Sequence, residues 1–319
     1  MKFAIIYHNA DFDGKFSREA CVYHLRQLYP NAELVPIGWD YGLPLPADSY
    51  LDQFAAIYIV DLSVPELMDS PKWRERIVWI DHHKSAIDKY DAPGAYKFQG
   101  FRIDGVAACR LVWNWFATLH ETSYRATKEQ FIERQVTEPL CIRLAGEYDI
   151  WDHRDERAKP FQFGLRTLSD PDFTAFAQAA FQTGDVVRTG DLVNAGRLIK
   201  DYVDSQSADY AKTYAHTIRF CGLTFCALNV GQRGNSDLFL GGLKPEHDAC
   251  FGWRFDGKQA LVSLYHTPDK KQFDLSKIAV KFGGGGHRGA CGFRVGLGLL
   301  AEILDPASSY ANEPVEGVV

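Results

Sequence analysis

Ile77-Val78-Trp79-Ile80-Asp81-His82-His83 is an apolar run that ends abruptly in an acid and two histidines. Its first four residues are β-branched or aromatic, and a run this short and this apolar predicts a buried parallel strand. In an open α/β sheet, ligands bind at the carboxyl ends of the strands. We therefore expect the Asp-His-His segment to lie where the chemistry of this protein takes place.

The start of the chain repeats this arrangement. Residues 3–7 predict a first buried strand, which is followed by His8 and then by Asp11 and Asp13. Two carboxylates that alternate along an extended segment can face the same side. One imidazole and two carboxylates form a donor set that suits Mn²⁺, Mg²⁺ or Fe²⁺. A solvated turn with His8 packed in the core is the competing interpretation.

Two further acids occupy comparable places. Asp61 follows the apolar run 55–60, although it could also be the N-cap of a short helix around residues 64–67. Asp149 follows a predicted helix, in a Tyr-Asp-x-Trp setting. Because three predicted strands end in acids or histidines, chance is a poor explanation for the pattern.

The order of the predicted elements favours an α/β fold. Strands and helices alternate through the first half, which is typical of a doubly wound parallel sheet. A long helical periodicity then connects this N-terminal domain to a smaller α/β C-terminal domain. The predicted limits are 1–185 for the first domain, 186–216 for the connecting helix, 217–305 for the second domain and 306–319 for a C-terminal tail.

Several local predictions can be compared with the structure. Gly14 is expected to allow a sharp turn into a helix over residues 15–29. A helix over residues 128–145 is expected to kink at Pro139, and residues 95–98 are expected to add an edge strand. In the second domain, residues 249–255 and 259–266 predict a hairpin.

The glycine-rich segment of the second domain has its own chemistry. Four consecutive glycines, residues 283–286, can leave backbone N–H groups free to approach an anion. His287 and Arg288 follow and add donors for a phosphate group. A flexible loop is the alternative, but the apolar residues 290–295 that come next predict a strand.

Composition limits the classes of partner. Hydrophobic residues make up 46% and charged residues 24%, which is typical of a soluble globular protein. The net charge of −6 argues against binding to long nucleic acid, which requires a basic surface. The seven cysteines form no CxxC pair and are expected to be buried thiols. We find no signal peptide or membrane span and expect a cytoplasmic protein; whether it forms a homodimer is left open.

Taken together, these motifs resemble the DHH phosphoesterase family with its DHH-associated C-terminal domain. HxxDxDG, a lone strand-end Asp, Asp-His-His, a later Asp and a C-terminal GGGGHRGAxG occur in the family's order and span nearly the whole chain. The first motif is one residue shorter than the spacing found in many members.

The resemblance implies two divalent cations, with Mn²⁺ favoured over Mg²⁺ and Fe²⁺, and an active site in the interdomain cleft. Under this assignment His8 and Asp11 hold one metal, Asp61 bridges to the other, and the second metal is held by Asp13, His82 and Asp149. His83 would contact the scissile phosphate or act as general acid, so that His83 and Asp61 are the residues expected to take part in catalysis. Asp81 would orient an imidazole or support the turn. Substrate would be bound by Gly284, Gly285, His287 and Arg288.

Two cations about 3.5–4 Å apart can lower the pKa of a shared water and hold the oxygens of an in-line phosphoryl displacement. Together with the family resemblance, this chemistry implies a phosphoesterase that acts on a small phosphate ester, a nucleotide or a short oligonucleotide. Hydrolysis of inorganic polyphosphate, as by an exopolyphosphatase, is the nearest alternative. A non-catalytic nucleotide-binding protein is a further one, although all six expected ligands are present.

Overall fold

The computed structural model of the chain describes residues 1–119, 125–152, 154–184, 186–231 and 235–318. The chain divides into two compact units, Met1–Lys200 and Asp201–Val319, and the division falls inside one long helix. The narrower domain limits given above remain predictions. Within the described part of the chain, no helix combines the length and apolar character needed to cross a membrane.

The first unit alternates strands and helices. Its strands are β1 (Lys2–His8), β2 (Glu33–Trp39), β3 (Ala56–Val60) and β4 (Ile77–Ile80). Its helices are α1 (Phe12–Leu28), α2 (Asp48–Leu51), α3 (Pro65–Met68), α4 (Lys84–Tyr90), α5 (Ala108–Ala117), α6 (Lys128–Ile132), α7 (Leu140–Asp149), α8 (Ala158–Leu165) and α9 (Asp170–Thr183), with a 3₁₀ turn at Arg74–Arg76. Helix α10 (Val186–Tyr214) crosses from the first unit to the second.

The sheet of the first unit is parallel throughout and has the strand order β2-β1-β3-β4. Side chains alternate between two apolar layers: Ile5 and Val60 belong to one buried cluster, whereas Ile6 and Ile59 belong to the other. This period of two is what a strand covered on both faces requires. The predicted doubly wound α/β fold is confirmed.

The parallel order brings the strand ends to one edge of the sheet. β1 ends at His8, β3 ends just before Asp61, and β4 ends just before Asp81. The register pairs Tyr7 with Val60, and Val60 with Ile80, so these ends are level with one another. Residues that are far apart in sequence therefore meet there.

Three local predictions need correction. The helix predicted over 128–145 is two helices, because a capping box at Thr127 begins the short α6 and Pro139 is the N-cap of α7. Residues 95–98 form no strand; single bridges pair Gln99 with Val78 and Arg102 with Asp81 instead. Helix α1 begins three residues early, at Phe12, because Asp11 caps it.

The second unit contains a mixed sheet of six strands. These are β5 (His216–Phe220), β6 (Leu223–Asn229), β7 (Ala249–Phe255), β8 (Ala260–His266), β9 (Gly285–His287) and β10 (Ala290–Val295). Their order is β5-β6-β7-β8-β10-β9, and only β6 and β7 pair in parallel. Helices α11 (Leu275–Lys281) and α12 (Leu297–Leu304) accompany it, with 3₁₀ turns at Ser236–Gly242 and Ser309–Ala311. The predicted hairpin is β7–β8.

The cysteines behave as the sequence predicts. All seven are buried and none forms a disulfide. Burial alone raises the pKa of the Cys21 thiol well above its ordinary value, so this side chain is packed as a small apolar group.

Candidate metal centre

The turn from β1 into α1 brings His8 against Asp11. One carboxylate oxygen of Asp11 caps the helix by accepting the Gly14 N–H at 3.0 Å, and its other oxygen lies 2.8 Å from His8 Nδ1. The turn has room only for glycine at position 14, because a Cβ there would lie 1.9 Å from the His8 carbonyl oxygen. Close approach of the helix to the strand, rather than a special backbone angle, is thus the reason for Gly14.

Asp61 lies between two groups of histidine and aspartate side chains. Its Oδ2 is 3.4 Å from His8 Nδ1, and its Oδ1 is 3.3 Å from His82 Nε2. Both oxygens are buried and neither makes a hydrogen bond to any described residue. The helix-cap alternative is wrong, because α3 has Val64 as its N-cap.

The backbone at Asp61 is unusual as well. Its φ of +61° lies in the left-handed region, which L residues other than Asn, Asp and Gly seldom adopt. Such conformations persist where the surrounding structure fixes them, and they cluster at functional sites. Here the Asp61 N–H donates to the Ile80 carbonyl at 3.0 Å, which holds the turn against β4.

The second group consists of Asp13, His82 and Asp149. His82 Nε2 lies 3.6 Å from Asp13 Oδ2 and 3.4 Å from Asp149 Oδ2. Asp13 is held in place by α5, whose Ala108 and Cys109 N–H groups donate to its two oxygens at 2.8 and 2.7 Å. Asp149 is the last residue of α7.

The structure therefore brings together all six side chains expected to bind metal. Ligand atoms of His8, Asp11 and Asp61 lie within 4.8 Å of one another, as do those of Asp13, His82 and Asp149. The two groups match the division implied by the family resemblance, with Asp61 facing both. Their roles as ligands remain predictions.

Asp81 shapes the turn that carries the two histidines. Its Oδ1 accepts the N–H groups of His82 at 2.7 Å and His83 at 3.2 Å, and lies 2.7 Å from His83 Nδ1. This leaves Asp81 as a support for the turn and fixes the ring of His83. One ring nitrogen of His83 lies within 4.8 Å of ligand atoms of Asp61 and His82, so His83 lines the same centre.

Sequence reasoning did not assign a role to Asp40. This residue follows β2, and its Oδ1 lies 3.7 Å from His8 Nε2 while accepting the Asn9 N–H at 3.2 Å. It is placed to orient the His8 ring, as carboxylates commonly do for metal-binding imidazoles. Its position after a strand end was the available signal, and the pairing of β2 with β1 brings it to His8.

The carboxylates and imidazoles that meet at this centre shift one another's pKa values at six residues: Asp13, Asp61, Asp149, His8, His82 and His83. Burial raises the pKa of Asp13, and repulsion by Asp61 and Asp149 raises it further. Burial and nearby carboxylates also raise the pKa of Asp149 to about 7. Burial disfavours charge on His8 and His82, but the carboxylates around them outweigh it and raise both pKa values. Burial favours the neutral form of Asp61, but the neighbouring imidazoles outweigh this effect and lower the pKa of Asp61 below its ordinary value.

This arrangement fits divalent cations. Carboxylate and imidazole donors suit Mn²⁺ and neighbouring first-row metals, and a dication would offset the repulsion among buried acids. The most specific indication is Asp61, because a buried carboxylate normally finds a hydrogen-bond donor. Two cations, one in each group, would give its oxygens closer partners than the imidazole nitrogens at 3.3 and 3.4 Å.

The predicted substrate-binding residues lie in the second unit. Gly285 and His287 belong to β9, the edge strand, and Arg288 follows it; all are exposed. The Arg288 guanidinium donates to the Gln272 carbonyl. The expectation of a free N–H at Gly284 is wrong, because this group donates to the Ala279 carbonyl at 2.8 Å and completes the end of α11. The substrate-binding roles of all four residues stay predictions.

The glycines of this segment have different reasons to be glycine. A Cβ on Gly284 would lie 2.1 Å from the Gly292 carbonyl oxygen, and Gly286 combines a φ of +132° with close contact to Cys291. A Cβ on Gly285 would meet nothing, and its φ lies outside the left-handed region. The fold therefore requires glycine at position 284 but not at position 285.

Comparisons with known proteins identify the fold. A scan against protein-family models found no match, and a search of curated proteins likewise found none. Among solved structures, the pGpG-specific phosphodiesterase PggH from Vibrio cholerae matches 95% of this chain and 96% of its own, with a TM-score of 0.50 and 12% identity. RecJ from Thermus thermophilus, in complex with Mn²⁺, matches 99% of this chain and 53% of its own, with a TM-score of 0.51 and 13% identity.

The agreement extends over both units of the chain, although the sequences have diverged widely. The resemblance inferred from five short motifs is therefore supported by the course of the whole backbone. The chain has the fold that PggH and RecJ share, in agreement with the fold that the resemblance to the DHH phosphoesterase family implies.

Proposed function

We propose that this protein is a phosphoesterase that uses two divalent cations to hydrolyse a small phosphate ester. One observation carries the proposal: the two oxygens of Asp61 are buried, accept no hydrogen bond from the described residues and face separate groups of His and Asp side chains. A carboxylate in this position can serve two cations at once. Coordination by two metals is the usual solution for in-line attack on a phosphorus centre.

The residues divide into two ligand sets around Asp61. His8 and Asp11 would hold one cation, and Asp13, His82 and Asp149 the other. When bound, such ions lower the pKa of a water and stabilise charge on the phosphoryl oxygens. Mn²⁺ is our first choice of metal, because the donors mix nitrogen and oxygen and because RecJ, a protein of the same fold, is described in complex with Mn²⁺.

His83 is the proposed general acid. Asp81 holds its Nδ1 at 2.7 Å and favours the protonated ring. Burial lowers the pKa of His83, but the Asp81 carboxylate outweighs it and raises the pKa above its ordinary value. A cationic imidazole can donate a proton to a leaving alkoxide oxygen.

For the substrate, we propose a nucleotide or a short oligonucleotide. The net charge of −6 gives little attraction for long nucleic acid. PggH, which shares the fold over nearly its full length, is described as specific for the dinucleotide pGpG. We also propose that Gly285, His287 and Arg288 of the second unit bind substrate phosphate, with Gly284 supporting the segment.

A substrate panel with Mn²⁺ tests this proposal. It should contain linear dinucleotides, a 3′,5′-bisphosphorylated nucleoside, cyclic dinucleotides and inorganic polyphosphate. We expect hydrolysis of at least one nucleotide in the presence of Mn²⁺ and none after chelation. His82→Ala should abolish it, whereas His216→Ala should not, because His216 is an exposed residue of β5 in the second unit.

Three other outcomes would favour a different function or a different active site. Release of phosphate from polyphosphate alone would favour the exopolyphosphatase alternative. Binding of Mn²⁺ without hydrolysis of any substrate would favour a non-catalytic nucleotide-binding protein. Hydrolysis that persists in His82→Ala would show that the metal centre described here is not the active site.

A further inference from the structure

Helix α7 ends in an unusual way directly beside the candidate metal centre. Asp149 is its last residue and Ile150 its C-cap, and Trp151 follows with a φ of +58°. The Trp151 N–H donates to the Tyr148 carbonyl at 3.0 Å, and the Asp152 N–H donates to the Glu147 carbonyl at 2.8 Å. These two bonds form a Schellman motif, in which the left-handed residue is usually glycine.

A tryptophan is poorly suited to this position. A bulky L residue with positive φ is a conformational outlier, whereas glycine adopts that angle without penalty. The helix end itself therefore gives no reason for the indole. Residues held in such conformations are characteristic of binding and catalytic sites, so the contacts of the indole bear on its role.

The indole belongs to an aromatic patch carrying positive charge. Trp151 remains 37% exposed, and its ring meets Tyr148 edge-on at 5.4 Å between centroids. The Lys159 ammonium lies 5.0 Å from the centroid of the indole ring. Arg166, which is exposed, reaches the Tyr148 hydroxyl at 3.5 Å. Two aromatic rings and two cations thus form one patch, and its rings belong to residues 148 and 151, on either side of Asp149 in the chain, whose Oδ2 lies 3.4 Å from His82 Nε2.

We infer that Trp151, with Tyr148 beside it, stacks on a nucleobase of the substrate. Aromatic side chains interleaved with cations bind nucleotides without strict base preference, because every base presents a π face. Inorganic polyphosphate has no ring and would gain nothing from an exposed indole. The inference rests on the proposed function and deepens it, because it identifies the substrate as a nucleotide and gives Trp151 the role of a specificity-determining residue.

A comparison of two ligands tests this directly. One is a fluorescently labelled dinucleotide and the other is the same molecule with its bases removed, and both are titrated by fluorescence polarisation with Mn²⁺ replaced by Ca²⁺ to slow turnover. Wild-type protein should bind the complete dinucleotide about 5- to 150-fold more tightly, equivalent to about 1–3 kcal/mol for one stacked base. Trp151→Gly should remove most of that difference, and Trp151→Phe should retain much of it.

A matched control separates stacking from general loss of an exposed ring. Tyr50 is 41% exposed and has the Lys2 ammonium 5.9 Å from its ring centroid, but it lies beside the first residue of β1, at the opposite edge of the sheet. Tyr50→Ala should leave the affinity for both ligands unchanged. Circular dichroism of Trp151→Gly should match wild type, since glycine suits the turn.

The outcomes also separate this inference from the proposed function. The stacking role would be overturned if wild type bound the two ligands with equal affinity, or if Trp151→Gly weakened the binding of both ligands by the same factor. Either result would count against it even if the protein hydrolyses phosphate esters. A base-dependent affinity that Trp151→Gly abolishes would support it even if no hydrolysis is observed, in which case the enzymatic proposal alone would fail.

Discussion

Replacing Asp61 by Asn should remove most of the stabilisation that Mn²⁺ gives to the folded protein. The carboxylate is buried, and its oxygens lie 3.3 Å from His82 Nε2 and 3.4 Å from His8 Nδ1, so one substitution affects both groups of ligands. Asn is the appropriate replacement because it has nearly the same shape and tolerates the φ of +61° at this position. Ala would add backbone strain and confuse the result.

The expected size follows from binding linkage. A ligand present at 100 times its Kd stabilises the folded state by about 2.7 kcal/mol per site, or roughly 5 kcal/mol for two sites. Loss of a supporting residue alone weakens metal sites about 10- to 100-fold, so loss of a shared ligand should weaken each at least 100-fold. The same Mn²⁺ concentration would then contribute only about 0.4 kcal/mol per site.

Thermal unfolding with and without Mn²⁺ measures this difference. For a unit of this size, about 2–4 °C corresponds to 1 kcal/mol, so Mn²⁺ should raise the Tm of wild type by roughly 10–20 °C and that of Asp61→Asn by about 2–3 °C. Asp69→Asn is the matched control, because Asp69 is an exposed residue paired with Lys89 at 2.9 Å. A full Mn²⁺ shift in Asp61→Asn would refute the shared-ligand assignment.

Three further predictions concern other parts of the molecule. Gly285→Ala should leave the Tm unchanged, because a Cβ there meets nothing in the protein, and should raise KM for a nucleotide several-fold, because the methyl group would stand where we propose that substrate phosphate binds. Gly284→Ala should lower the Tm, because its Cβ would lie 2.1 Å from a carbonyl oxygen. Calorimetry and steady-state kinetics distinguish the two variants, and an unchanged KM in Gly285→Ala would count against phosphate binding there. Burial lowers the pKa of His24 to about 4 from 6.5, so its unfolded form binds more protons in this range, and stability present above pH 6.5 is lost as the pH falls towards 4. The free energy of unfolding, measured with urea, should therefore fall by about 2 kcal/mol more in wild type than in His24→Phe between pH 7.5 and pH 5. Equal decreases would contradict a neutral His24 imidazole in the folded protein. Finally, Trp151→Gly should be more stable to urea than Trp151→Ala by about 1 kcal/mol, the reverse of their helix propensities, because glycine alone relieves the left-handed backbone; an Ala variant of equal or greater stability would show that the φ of +58° carries no strain.

Much of the fold follows from local sequence pattern. Apolar runs such as residues 3–7 and 77–80 have one strong explanation, a strand covered on both faces, and the structure contains it. The acids and histidines after these runs were informative because parallel strands place their carboxyl ends at one edge. This geometric rule explains why His8, Asp61 and His82 could be placed near one another from the sequence, whereas Asp149, which ends a helix, joined the predicted set through the family resemblance.

Other features depend on contacts that local pattern does not encode. The helix predicted over 128–145 is wrong because α6 ends at Ile132, just before the left-handed Arg134, and Pro139 begins a new helix. A proline can equally well kink a helix or begin one. Asp40 was not assigned because its role depends on the pairing of β2 with β1. The hydrogen bonds from α5 to Asp13 span 95 and 96 positions of the sequence, and nothing in either segment predicts them.

The free backbone expected at all four glycines illustrates a third kind of limit. Composition predicts that a glycine run is accessible, but it does not distinguish glycines required by packing from those left open for a ligand. Packing against strand β10 requires glycine at position 284, whereas a Cβ at position 285 would meet nothing in the protein, and only the position of β10 reveals this difference.

The most direct test of the shared metal centre is electron paramagnetic resonance of the Mn²⁺-loaded protein, together with its metal content per chain. Two Mn²⁺ ions that share the Asp61 carboxylate should give two ions per chain and a spin-coupled spectrum, and Asp61→Asn should give neither. One ion per chain, or two ions whose spectra show no coupling, would contradict the account.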